Sequence, residues 1–332
     1  MDIAIFSTQE LPLVLRSLIT VAANPNALTL REQQFLDVIL ALHQQNDSTT
    51  QHPAIIGTFV TLSQVAQVIT QPHHRKRLLQ MAIVMAMVDG ESSPHQQKAL
   101  RSLARAFSVD EPGLRVLQEA AQGHQRLARF DLFRRMMKKL VVPAFHDEGI
   151  GGVKKIIEAL FFKRGEDPTV AKKYHQLGKL PKGTLGYTFW QHYTENHFAF
   201  PGEAGGIPER LVFHDMGHML SGYDTSPQGE IQQGAFQSGF IHEDGFAFLL
   251  FVIFQFHWGI KITPIADASQ GLFDIPLVLH ALQRGSDCRV DLSDHWNFWE
   301  VVDLPLEEVR DRYGIPPFRP SSLLTTLEKV CA

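Results

Sequence analysis

Apolar residues recur at intervals of three and four along the first 135 residues, and no useful length of strand-like alternation competes with them. In "LREQQFLDVILALHQQ" (30–45) and "RKRLLQMAIVMAMVDG" (75–90) this spacing gathers the apolar side chains onto one helical face. Helix starts are also marked. Thr29 stands three before Glu32 and Ser93 three before Gln96, the capping-box arrangement in which side chains satisfy backbone N–H groups that an opening helix leaves unpaired. Aligning the two boxes puts Leu36 on Leu100, Ile39 on Leu103 and "ANPN" on "MVDG". Residues 17–43 and 81–107 therefore read as related helix-turn-helix units, although two unrelated amphipathic hairpins would match as well.

The second half carries further helical segments, among them "VKKIIEALFF", "TLGYTFWQHYTENHF" and "IPLVLHALQRGSD". The expectation is an all-α protein of two helical domains, residues 1–140 and 150–332, because 332 residues exceed what one core usually organises. The Gly/Pro-containing stretch "MMKKLVVPAFHDEGIGG" (136–152) is the expected linker, with His146 and Asp147 in a loop. "GFAFLLFVIFQF" (245–256) is shorter than the roughly 20 residues that span a bilayer. It reads as a buried helix, in plain core packing or as one wall of an apolar cavity.

A net charge of -4 gives no general attraction to nucleic acid, and none is expected as a partner. Two cysteines, Cys288 and Cys331, exclude a disulfide scaffold or a cysteine zinc cluster and suit a reducing compartment. The first twenty residues have no basic region before an apolar core, so a cytoplasmic location is expected. Basic runs at 134–139, 154–155 and 163–164 fit a solvated helix face or contact with anionic lipid headgroups on the inner face of a membrane.

Residues 213–230, "FHDMGHMLSGYDTSPQGE", carry the candidate chemistry. Pro208 suits a helix start, with the helix running to about Leu220. His214 and His218, four apart, stack two imidazoles on one face, the way a helix offers one ion two nitrogens. Asp215 is placed to be a further ligand or to orient one. Ser226 followed by Pro227 marks a second helix start, which puts Glu230 in its first turn facing His218. Two imidazoles and one or two carboxylates suit a divalent metal: zinc, iron or manganese. With 16 histidines in the chain, chance pairs at this spacing also occur, and His192, His197, His242 and His257 read as ordinary residues.

These residues resemble a known signature. His-Asp, two residues, His, eleven residues, Glu is similar to the motif of the Coq-four family of coenzyme Q (ubiquinone) biosynthesis proteins. The flanking "LPKGTLGYTFWQHYTENHF" and "HALQRGSDCRVDLSDHWNFWEVVDLPLEEVRDRYGIPP" resemble segments of the same family, over about residues 175–318. The resemblance implies that His214, Asp215, His218 and Glu230 bind metal. It also implies an apolar cleft for a prenylated quinone precursor or other isoprenoid lipid, with other quinone biosynthesis proteins as partners. Arg210 stands alone before the His-Asp pair where the family tends to have two arginines, and Gln237 replaces a common glutamate, with His242 and Glu243 beyond it. "MAIVMAMVDGESSPHQQKALRSLARAFSV" resembles the TerB-like (tellurite resistance) helical family, with Asp89 and Glu91 on its turn; Asp89 also reads as a plain turn residue before Gly90.

Three functions follow as expectations. The first is a metal-dependent enzyme of ubiquinone biosynthesis, by resemblance an oxidative decarboxylase at C1 of the prenylated head-group precursor, acting as a homo-oligomer peripheral to the membrane. The second is a lipid-binding scaffold for quinone biosynthesis enzymes, without chemistry of its own. The third is an HD-type metal-dependent phosphohydrolase, for which His192 and Asp274 would have to converge on the His-Asp pair.

Overall fold

A computed structural model describes residues 1–24, 27–46, 61–162, 166–263, 267–294 and 296–318. Cys331 and the basic pair at 163–164 lie outside them. The chain is all-α, and among the described residues the only β-type pairings are two isolated bridges, Thr184 with Pro305 and Trp258 with Gln270.

In the first half, α1 (Leu11–Val21) packs against α4 (Pro72–Met85) and α5 (Pro94–Phe107), which also pack on each other, α3 (Leu62–Val68) joins α1 and α5, and α2 (Leu30–Asn46) packs on a helix of the second half, residues 275–287. Both capping boxes close as their spacing predicts. Thr29 and Glu32 bond each other's backbone N–H groups at 3.1 and 3.0 Å, and Ser93 and Gln96 do the same at 3.2 and 2.8 Å. The two caps meet: the Gln96 amide reaches the buried Glu32 carboxylate at 3.5 Å. Asp89 is an exposed turn residue that accepts a hydrogen bond from the Thr29 hydroxyl.

α6 (Pro112–Ala121) leads into α7 (Gln125–Phe162), and here the structure departs from the expected linker. Residues 136–152 are helical, and His146 and Asp147 lie on helix rather than in a loop. Two helical runs meet at Gly149, whose φ of 63° and ψ of -148° turn the chain in a way a side chain would resist. Pro143 lies inside the helix and has no N–H to give to its ladder. Tertiary contacts hold the helix anyway: Ala144 is buried, and Arg210 pairs with Asp147 at 2.9 Å and Glu148 at 3.3 Å.

The second half comprises α8 (Pro168–Gln176), α9 (Leu185–Glu195), α10 (Val212–Ser221), α11 (Pro227–Phe240), α12 (Gly245–Phe256), α13 (Ile275–Asp287) and α14 (Leu306–Tyr313). α11 is central, and every residue from Ile231 to Phe240 is buried. Its small residues let neighbours close in. A methyl group on Gly234 would lie 2.2 Å from Val252 of α12, and one on Gly285 of α13 would lie 1.9 Å from the Phe236 carbonyl oxygen. α12 is core packing, with Phe248 its one partly exposed residue. Among the described residues no helix is long and apolar enough to cross a membrane.

The two halves share one apolar core. The "MVDG" turn is where they lock, because its carbonyls accept hydrogen bonds from His257 Nε2 at 2.9 Å and the Trp258 indole at 3.1 Å. Arg31 adds bonds to the Val88 and Phe273 carbonyls. These bonds satisfy buried polar groups that a plain apolar interface would strand.

Candidate metal centre

The helix bearing the histidines begins later than Pro208. A short 3-10 turn at Glu209–Leu211 precedes α10, and Gly222, at φ 82°, ends it. The second start falls where the sequence puts it, with Ser226 accepting from the Gly229 N–H at 3.1 Å and Pro227 in the first turn of α11. α10 and α11 meet at Gly217, where an added methyl would lie 2.3 Å from the Gln233 amide nitrogen. Buried Gln233 clasps the two helices, accepting from the Ser221 hydroxyl at 2.7 Å and donating to the His214 carbonyl at 3.3 Å.

This packing gathers His214, His218 and Glu230, each offering a ligand atom within 4.8 Å of the others. One Glu230 oxygen lies 3.5 Å from His214 Nε2, and the other lies 3.5 Å from His218 Nε2. The two imidazole rings stand nearly perpendicular, at 87°, with centroids 5.0 Å apart. Each ring is anchored by its other nitrogen. His218 Nδ1 lies 3.0 Å from the Tyr223 carbonyl, and His214 Nδ1 lies 2.8 Å from Gln237 Oε1. Oxygen acceptors there require Nδ1 to carry a proton, which leaves each Nε2 with its lone pair facing Glu230 when the ring is neutral.

Asp215 does not join this group. Its carboxylate accepts the phenolic hydrogen bond of buried Tyr193 on α9. One position along a helix turns a side chain by about 100°, so a residue adjacent to His214 points away from the face that His214 shares with His218. His192 lies beside the group, its ring 6.5 Å from that of His218 and nearly parallel to it. His197 and His242 are exposed, as is Glu243, and His257 is a buried core residue bonded to Val88.

The charges respond to this arrangement. Burial opposes the charged form of His214, yet the Glu230 carboxylate beside it raises its pKa to about 9. Burial pushes His218 down, and the neighbouring His214 charge adds to the effect. Glu230 is raised by burial but more than offset by its bond to His214, so it sits below the usual carboxylate range. Burial and the Asp215 carboxylate drive the Tyr193 phenol far above its ordinary range.

The residues fit a divalent metal ion. His218 Nε2 is buried with no hydrogen-bond partner among the described residues, which is costly for a polar atom unless an ion takes the lone pair. The 3.5 Å gaps between nitrogen and oxygen agree with the about 3.4 Å that separates two ligand atoms sharing one ion at about 2.1 Å in tetrahedral geometry. Two nitrogens and a carboxylate suit zinc, iron or manganese and leave coordination positions open.

Gln233, Gln237, Tyr193 and Arg284 support the site, and no sequence signal singles out Tyr193 or Arg284. Gln233 and Gln237 follow Glu230 by three and seven, so the helical stripe through Glu230 would have pointed to both. Arg284 of α13 is buried; it donates to the Tyr223 hydroxyl at 2.7 Å and the Ser221 carbonyl at 3.1 Å, and its guanidinium lies 5.3 Å from the Tyr223 ring centre.

No protein-family model matches the chain, and no curated protein matches it. Among solved structures, it is similar to a Nostoc punctiforme protein provisionally described as a ubiquinone biosynthesis protein, at 18% identity and a TM-score of 0.32, over 61% of this chain and 94% of that one. So loose a likeness bears on neither fold nor function.

Proposed function

We propose that this chain is a metal-dependent protein of isoprenoid quinone biosynthesis, with His214, His218 and Glu230 as the ligands of one divalent ion. The observation that carries the reading is the buried Nε2 of His218, which has no hydrogen-bond partner among the described residues and lies 3.5 Å from the Glu230 carboxylate. The substrate class comes from the resemblance of the His-Asp, His and Glu motif, and oxidative removal of the C1 carboxyl from a prenylated precursor is the reaction that resemblance implies. A bound ion would supply a Lewis acid with open positions.

The chain's own residues do the rest. The Tyr223 carbonyl and Gln237 hold the two rings with Nε2 forward, and Glu230 supplies the negative charge that draws a cation. Asp215, bonded to Tyr193, is a neighbouring charge and not a ligand in this reading. The same placement argues against the phosphohydrolase, whose chemistry needs the His-Asp carboxylate on the metal. Asp274 is likewise engaged elsewhere, as an exposed cap accepting from the Leu277 N–H at 3.1 Å.

The test is elemental analysis of protein purified without chelators, for wild type, His218→Ala and Glu230→Gln, followed by turnover of a prenylated hydroxybenzoate precursor. One transition metal per chain, lost in both variants together with turnover, is the expected result. Metal content equal in all three would overturn the ligand assignment, and metal without turnover would turn the reading toward a scaffold.

A further inference from the structure

Away from the histidines, the start of α7 and the segment after α12 border an open, shallow cavity of about 480 Å³, lined by Arg126, Arg129, Phe130, Phe133, Lys261, Ile262 and Thr263. Ile262 and Thr263 are buried and form part of its wall. Arg126, Arg129, Phe130 and Phe133 follow one another at spacings of three, one and three, so all four lie on one face of α7. The volume falls in the range of small-ligand sites.

The cations here are not explained by the fold. Arg126 lies in the first turn of a helix, where the helix dipole disfavours positive charge, and that turn carries no acidic residue. Neither Arg126 nor Arg129 has an ion pair or side-chain hydrogen bond among the described residues. Lys261 does have one, with exposed Asp267 at 2.8 Å. Phe130 is 67% exposed and Leu127, one turn back, 56%. Unpaired guanidinium groups beside uncovered aromatic surface match a molecule with an anionic head and an apolar body. Arginine forks pair well with carboxylate or phosphate oxygens, while rings cover a hydrocarbon chain.

We propose that this cavity binds an anionic amphiphile, its carboxylate or phosphate head between Arg126 and Arg129 and its chain against Phe130, Phe133 and Ile262. The site is independent of the metal reading and stands or falls without it.

The full chain would be titrated calorimetrically with monomeric dihexanoyl phosphatidic acid, and tested by flotation with vesicles of phosphatidylcholine alone or mixed with phosphatidylglycerol. The variants are Arg126→Glu with Arg129→Glu, and Phe130→Ser, all exposed positions whose folding is checked by circular dichroism. Saturable binding of the monomer, weakened about tenfold or more by the double charge reversal, identifies a free amphiphile as the ligand. Flotation confined to the anionic vesicles and lost in the same variant, with no monomer binding, identifies a membrane lipid instead. No binding to either probe, or binding that both variants leave unchanged, overturns the proposal.

Discussion

The His214–Glu230 pair sets up a pH dependence that can be measured before any reaction is known. Their 3.5 Å separation gives about 5 kcal/mol of attraction at an effective dielectric near 20. Burial takes back part of it. A His214 pKa of about 9, against the ordinary 6.5, corresponds to about 3 kcal/mol of net preference for the charged ring, and partial exposure reduces this to about 1–2 kcal/mol. The folded-state value lies above the unfolded one. This contribution is therefore fully present below pH 6.5 and disappears as pH rises through 9.

His214→Gln isolates the effect, since His218 and every other titrating group remain in both proteins. In chelator-stripped protein, the melting temperature of wild type should fall toward that of His214→Gln by a few degrees between pH 6 and pH 9. Saturating zinc should reverse the slope in wild type, because a cation replaces the proton and binds better as protons leave. Parallel melting curves for the two stripped proteins across that range would refute the ion pair.

Other consequences are equally direct. Gln237→Leu removes the acceptor at His214 Nδ1 and should weaken zinc binding about 10- to 100-fold in a chelator competition; unchanged affinity would show that the ring needs no anchor. Tyr193→Phe strips Asp215 of its phenolic partner but should leave metal content intact, and a loss of metal would make Asp215 a ligand after all. Gly285→Ala pushes a methyl into the Phe236 carbonyl, a backbone atom with no rotamer to escape into, so about 3 kcal/mol of stability should go in chemical denaturation. A loss below about 1 kcal/mol would mean that α11 and α13 can part easily.

Most helices were legible because local and tertiary demands agree in them. At Thr29, Ser93 and Ser226 the cap residue stands where an apolar period begins, and each accepts the hydrogen bond its spacing predicts. The same logic brought Glu230 opposite the histidines, since a turn of fixed length between two capped helices leaves little choice of register. It failed at residues 136–152. Pro143 and three glycines argue locally for a loop, and nothing nearby in sequence announces that Arg210, over sixty residues away, will pair with Asp147 and Glu148. At Asp215 spacing alone leaves open a ligand or an orienting residue, and the structure turns its carboxylate to Tyr193, because a helix sends adjacent residues to different faces.

What spacing alone cannot supply is stiffness, and the structure shows where the site gets it. The last carbonyls of α10 lack partners within the helix, and two distant arginines provide them: Arg310 of α14 donates to Met219 and Leu220 at 2.9 Å, and Arg284 of α13 donates to Ser221. Positive charge at that end also suits the helix dipole. Arg284 then reaches two residues further, to the ring and hydroxyl of Tyr223, the residue whose carbonyl fixes His218. A chain of bonds therefore runs from α13 through Tyr223 to an imidazole that is 2% exposed, and Gln233 closes the other side from α11. The orientation of His218 is thus a property of four helices, which is why a motif of seventeen residues can bring His214, His218 and Glu230 together without revealing what holds them.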